Sequence, residues 1–245
     1  QVLLNIWLNV VAYRSGSLAL MIKRGNENVV TKGDNGETII KHFKKDANKP
    51  STITVKKQDG STETTKMDED GKPIEKVVVD KDGNTTTTVI GEKNLPTMQK
   101  VIPKSGTPIE TIIMNEEGKP KSKTVENGAT IEEYTYDEKG NPVLNTKSEN
   151  KGIPAKEKIT TYTYNEDGTT IATTKEANKQ TELITKGEDF VSETVTNDKG
   201  HRLSQAKNVD GQLYTKSYDG NGNTLGVIVQ NGESISALAE KFGCS

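Results

Sequence analysis

A turn written Asp/Asn-x-x-Gly recurs along this chain and constrains its fold more than any other feature. It stands at Asp68 to Gly71, Asp80 to Gly83, Asn115 to Gly118, Asp137 to Gly140, Asn165 to Gly168, Asn197 to Gly200 and Asp219 to Gly222. Asp or Asn at the first position accepts backbone N–H bonds, and Gly at the fourth tolerates a positive φ as the chain re-enters a strand. Shorter signals at Asn35-Gly36, Asp59-Gly60, Ser105-Gly106, Asn127-Gly128 and Asp210-Gly211 fill gaps between them. From Gly60 to Gly71 is 11 residues and from Gly71 to Gly83 is 12, with the same spacing from Gly106 to Gly118 and from Gly200 through Gly211 to Gly222. That interval holds one strand and the corner that returns it.

The stretches between corners alternate in the way strands require. In Ile131-Glu-Glu-Tyr-Thr-Tyr136 and Ile159-Thr-Thr-Tyr-Thr-Tyr164 the two tyrosines of each pair fall on one face. Thirty-one threonines are spread through these stretches, and a β-branched side chain with one polar atom suits a strand half exposed to water. Only 30% of residues are hydrophobic and 4% aromatic, too few to fill a deep core. A thin sheet or a stack of hairpins is therefore expected: a mainly β, elongated array of antiparallel β-hairpin repeats over residues 26–224.

Charge excludes some partners. With 33 basic and 35 acidic residues interleaved and a net charge of -2, no basic face for nucleic acid emerges. The apolar residues 1–25 are interrupted by Asn5, Asn9, Arg14 and Ser15 to Ser17, so they form no clear membrane span. They also lack the basic start and small-residue cleavage site of a signal peptide. They read as an upstream segment of a longer chain, a membrane or export remnant, or translation ahead of a start at Met21.

Sharper chemistry finds little support. His42 and His201 stand apart from any cysteine or carboxylate at zinc-ligand spacing. Asp68-Glu-Asp-Gly71 and Asp80-Lys-Asp-Gly83 lack the full ligand set of a calcium loop. No nucleophile elbow, phosphate-binding loop or dinucleotide fingerprint is present. The chain is expected to be non-enzymatic, without metal or cofactor. Trp7 and the tyrosines could stack on sugars, but aromatics at strand spacing more often pack on the sheet. Cys244 is read as a packing residue.

The last stretch breaks the pattern. Val227 to Val229 reads as a short strand ending at Asn231-Gly232, and a helix is expected from Ser234. Ile235, Leu238, Ala239 and Phe242 would make its apolar face, and Gly243 its stop.

Two resemblances follow from these residues. Tyr136-Asp-Glu-Lys-Gly-Asn141, Tyr164-Asn-Glu-Asp-Gly168 and Tyr218-Asp-Gly-Asn-Gly-Asn223 resemble the YD repeats of bacterial cell-surface and Rhs-type proteins, which build long β-sheets from such hairpins. Residues 225–245 resemble the opening β-α half of a LysM module. Glu233 stands in its acidic position, Ile235 replaces its Leu, and Leu238-Ala239 replaces its Ile-Ala pair. That resemblance implies a truncated α+β module binding peptidoglycan or a chitin-like glycan, with Gly232, Glu233, Ser234 and Ile235 as the first wall of the sugar groove. An ordinary cap and core role for Ser234 and Ile235 remains the competing reading. Together the resemblances imply a secreted or cell-envelope bacterial protein. The alternatives are a structural fragment of a YD/Rhs-type surface or toxin-delivery protein, and the non-catalytic part of a cell-wall hydrolase.

Overall fold

The computed structural model describes residues 27–230, and every regular element among them is a β-strand. The chain divides into two compact units, Gln1–Ser105 with Met114–Lys119, and Gly106–Ile113 with Pro120–Ser245.

The first unit holds β1 (Glu27–Lys32), β2 (Thr38–Phe43), β3 (Thr52–Lys56), β4 (Thr62–Met67), β5 (Pro73–Val79), β6 (Thr85–Ile90) and β7 (Pro96–Ile102). Each strand pairs antiparallel with the next in sequence, giving an open meander. One register row runs Val30, Ile40, Thr54, Thr64, Val77, Thr87 and Lys100 across all seven strands. Strand β8 (Ile109–Met114) lies across the division.

The second unit continues with β9 (Pro120–Asn127), β10 (Thr130–Tyr136), β11 (Pro142–Glu149), β12 (Lys158–Tyr164) and β13 (Thr169–Lys175). After these come β14 (Lys179–Lys186), β15 (Asp189–Asn197), β16 (Arg202–Val209), β17 (Gln212–Tyr218) and β18 (Thr224–Gln230). From β9 to β18 every pairing is again antiparallel and between sequence neighbours. At about 4.8 Å per strand the two meanders extend about 29 Å and about 43 Å along their hydrogen-bonding directions.

All seven Asp/Asn-x-x-Gly corners fold alike. The N–H of the first residue donates to the carbonyl four residues on, and the glycine N–H donates back to the first carbonyl, as in Asp80 N to Asn84 O at 2.9 Å and Gly83 N to Asp80 O at 3.1 Å. The fourth residue is left-handed at each corner, with Gly83 at φ 90°. This is the three-residue hairpin in which a left-handed residue closes a type I turn. Two shorter signals make tighter hairpins instead: Asn127 pairs with Thr130, and Val209 pairs with Gln212. Asp210 and Gly211 are both left-handed, at φ 52° and 82°, which fits the turn that favours Asp-Gly. Between Gly140 and Gly200 the regular interval is lost for visible reasons. The β11–β12 connection is eight residues, 150–157, and β14 turns into β15 through Gly187-Glu188.

Each meander is a single layer. Among the described apolar side chains only Phe43 is buried, at 7% exposure, and the buried polar ones are Ser61 and Thr160 at 9% and 8%. Most strand residues are half covered by their cross-strand neighbours, so those pairs, rather than a second layer, supply the stabilisation. Threonine fits this role on both counts. Thr54 and Thr64 face each other in register with hydroxyls 3.0 Å apart, and Thr160 and Thr174 do so at 2.8 Å.

The Thr160–Thr174 pair gives a direct test of that role. Thr160→Val keeps the shape but strands the Thr174 hydroxyl, and is expected to cost about 1 kcal/mol. Adding Thr174→Val removes the orphan and should recover most of the loss. Denaturant midpoints of the single and double variants check this, and an equal or larger loss in the double would exclude the hydrogen-bonded pair as the cause.

The β-α unit expected from Val227 is met only in its first part. Val227 to Gln230 lie in β18, which pairs along its length with β17; the helix expected from Ser234 lies outside the described residues.

Candidate functional site

The sequence-predicted glycan residues, Gly232, Glu233, Ser234 and Ile235, lie outside the described residues, as do Trp7 and Cys244. What the structure does place is the strand leading to them. β18 pairs with β17, with Leu225, Val227 and Ile228 at 71%, 48% and 43% exposure. Its partner β17 sets Val229 opposite Tyr214 and Ile228 opposite Thr215.

The acidic corners are filled by their own chain. At Asp80 one carboxylate oxygen accepts the N–H groups of Asp82 and Asn84, both at 2.9 Å, and the other accepts the Asn84 amide at 2.8 Å. Asp137 does the same with Lys139 and Asn141, and Asp219 with Asn221 and Asn223. These donors hold all three carboxyls below the ordinary aspartate range. The carboxylate oxygens of these corners brace the hairpin. No group of three or more His, Cys, Asp or Glu able to hold a metal ion occurs among the described residues.

The histidines have structural partners. His42 Nδ1 lies 2.8 Å from the Asn28 side-chain oxygen on the neighbouring strand, and His201 Nδ1 lies 3.1 Å from the Gly220 carbonyl. Three tyrosine hydroxyls are engaged as well. Tyr164 donates to the Leu144 carbonyl at 2.8 Å and Tyr214 to Gln212 at 2.8 Å. Tyr134 donates to Glu132 at 2.7 Å, beneath the Lys123 ammonium 5.8 Å from its ring. The Glu132 bond, then burial, pushes the Tyr134 phenol up to about 12, so it stays protonated near neutral pH. Lys123 also pairs with Glu110 at 2.9 Å.

In the first unit a hollow of about 750 Å³ opens beside the β2–β3 loop, lined in part by Lys44, Asp46, Lys49, Lys66, Met67 and Asp68. Two of its lysines are engaged locally: Lys49 donates to the Asp70 carbonyl, and Lys66 lies 3.8 Å from Glu75. No nucleophile is set beside a base there. Among the described residues no helix is long and apolar enough to cross a membrane.

No family model matches the chain, and no curated protein matches it. Among solved structures it is similar to the crystal structure of a porin-like protein from Bacteroides uniformis, at 9% identity over 85% of this chain and 96% of that one, with a TM-score of 0.23. A score that low does not establish a shared fold, and the likeness carries no argument about function.

Proposed function

We propose that this chain is a non-catalytic bacterial surface or cell-envelope protein. Its hairpin ladders act as a spacer, and its terminal stretch, residues 227–245, opens a glycan-binding module of the LysM kind. The observation that supports the spacer role most is the nearest-neighbour pairing of the strands in each unit. A ladder that grows one hairpin at a time can be lengthened without redesigning a core. The engagement of the acidic corners, histidines and tyrosines in bracing the sheet is consistent with a passive role. The glycan reading rests on the sequence resemblance of Gly232, Glu233, Ser234 and Ile235. A second reading, a structural piece of a YD-type repeat protein, draws on Tyr136, Tyr164 and Tyr218, each of which precedes a corner of the common hairpin geometry.

Co-sedimentation with insoluble peptidoglycan or chitin tests the glycan reading. The 245-residue chain is expected to be retained weakly, since one wall of a groove buries little sugar. Removing residues 231–245 is expected to abolish retention while leaving the strand-dominated circular dichroism unchanged. Equal retention with and without 231–245, or none of the intact chain at any concentration, would remove the terminal stretch as the binding element.

A further inference from the structure

We propose that Asn127, at the tip of the β9–β10 hairpin, is a site of spontaneous modification, at which water converts the side-chain amide to a carboxylate through a cyclic imide. This goes beyond the glycan reading and does not depend on it.

The reaction needs an asparagine followed by a residue whose backbone nitrogen can reach the side-chain carbonyl. Glycine suits it best, because no Cβ hinders the approach and its backbone turns freely. Three Asn-Gly pairs stand among the described residues: Asn35-Gly36, Asn127-Gly128 and Asn221-Gly222. The fold sets them apart. In the corners that hold the first and third, the attacking nitrogen is already engaged: the Gly36 N–H donates to the Gly33 carbonyl at 3.1 Å, and the Gly222 N–H to the Asp219 carbonyl at 3.0 Å. The asparagines themselves are held too. Asn35 donates its N–H and its side-chain amide to the Glu37 carboxylate, at 3.2 and 3.5 Å, and Asn221 donates its N–H to the Asp219 carboxylate at 2.9 Å.

Asn127-Gly128 sits in a turn of a different kind. β9 and β10 are joined by the two residues Gly128 and Ala129, with Asn127 paired to Thr130. Gly128 takes the first central position at φ 60°, the place a type II′ turn gives to glycine. Such a turn is closed by the rung between its outer residues, so its closure makes no use of the Gly128 N–H. Residues 126–129 are all exposed, and the space where a Gly128 side chain would stand is open. Water and the attacking nitrogen therefore both reach the Asn127 amide. Asn127 ends β9, so the backbone rotation that brings them together disturbs one terminal rung.

The Gly128 nitrogen, giving up its proton, bonds to the Asn127 side-chain carbon, and the bond from that carbon to Nδ2 breaks, releasing ammonia. Water then opens the five-membered imide at either carbonyl. One opening leaves aspartate; the other routes the backbone through the side chain and leaves isoaspartate, with an extra methylene in the main chain. Either product adds a negative charge next to Glu126, in a chain of net charge -2. Isoaspartate also lengthens β9 ahead of the turn, against a ladder whose side chains alternate with a period of two. The Lys151 N–H, which donates to the Ala129 carbonyl at 3.0 Å, ties that change to the β11–β12 connection.

The test is peptide mapping by mass spectrometry of the 245-residue chain held near neutral pH at body temperature, with isoaspartate told from aspartate by electron-transfer fragmentation. Conversion at Asn127 is expected to run at least about fivefold ahead of Asn35 and Asn221, the effect of one net hydrogen bond at each corner glycine. It is expected to speed up as pH rises, because the attacking nitrogen must lose its proton. In the same chain unfolded in guanidinium, the three pairs should convert at similar rates. Asn127→Gln, whose imide is six-membered and slow to form, should stop the change at this hairpin while circular dichroism shows the sheet retained. Equal conversion at the three sites of the folded chain overturns the proposal. So does a faster Asn35 or Asn221, or a lead of Asn127 that persists in guanidinium and so belongs to the sequence rather than to the turn.

Discussion

Phe43→Ala is expected to destabilise the first unit by about 3 kcal/mol, the low end of the cost of removing a buried phenylalanine. Phe43 ends β2, opposite Glu27 on β1, and is the buried apolar side chain of the described residues at 7% exposure. In a thick core a lost ring is shared among many neighbours. In a single layer, apolar burial is scarce, so one site carries an unusual share of it. The chain just beyond Phe43 is also held in place, since Ser51 N–H donates to the His42 carbonyl and Met67 N–H to the Ser51 carbonyl, both at 2.8 Å. Loss of the ring is therefore expected to loosen the β2–β3 connection as well as the β1–β2 pairing. Hydrogen exchange of the intact chain resolves the effect by unit. Protection should fall by about two orders of magnitude, the equivalent of about 3 kcal/mol, in 27–67 and stay unchanged in 158–218. A uniform loss across both units, or none, would show that Phe43 does not anchor the first meander locally.

The same contrast explains what could be read from the sequence. The Asp/Asn-x-x-Gly corners were legible because their chemistry is local: an Asx side chain and a left-handed glycine determine the turn whatever surrounds it. The threonine alternation was legible as half-exposed strand for a similar reason, and Thr160 facing Thr174 shows what the hydroxyls do. Corners built from other residues escaped notice. Gly91 to Leu95 forms the same hairpin with Gly first and Asn94 in the left-handed position, at φ 59°. Lys186-Gly187-Glu188-Asp189 closes on two residues, with Lys186 paired to Asp189. The division of the chain into two units had no local signature, because strands on either side of it obey the same alternation. The reading of Gly232 to Ile235 rested on resemblance, and those residues lie outside the part of the chain described.

Acid is expected to destabilise this protein through its corners. Asp59, Asp80, Asp137, Asp167 and Asp219 all titrate below their ordinary value of 3.8. The leading cause is a donor within the same turn: the Ser61 hydroxyl for Asp59, the Asn84 amide for Asp80, the Asn141 N–H for Asp137, the Thr169 hydroxyl for Asp167 and the Asn223 amide for Asp219. Each donor prefers the carboxylate, so the folded chain binds protons less readily than the unfolded one. For a carboxyl lowered on folding, the stabilisation is complete above the unfolded value, about 3.9, and is lost as pH falls through the lowered folded value. The melting temperature is therefore expected to be insensitive to these groups from neutral pH down to about 5, and to fall below about 4. Other corners show how to isolate the effect. Asn115 and Asn197 hold the same first position, and their amide oxygens accept the same two backbone N–H groups, at 2.9 and 3.0 Å for each. Asp80→Asn, Asp137→Asn and Asp219→Asn combined should therefore keep the hairpins, lose some stability at neutral pH where the charged acceptor is strongest, and lose less on acidification. Thermal melts of both proteins from pH 7 to 2 decide it: the two curves should converge as pH falls, and parallel curves would place the acid sensitivity elsewhere in the chain.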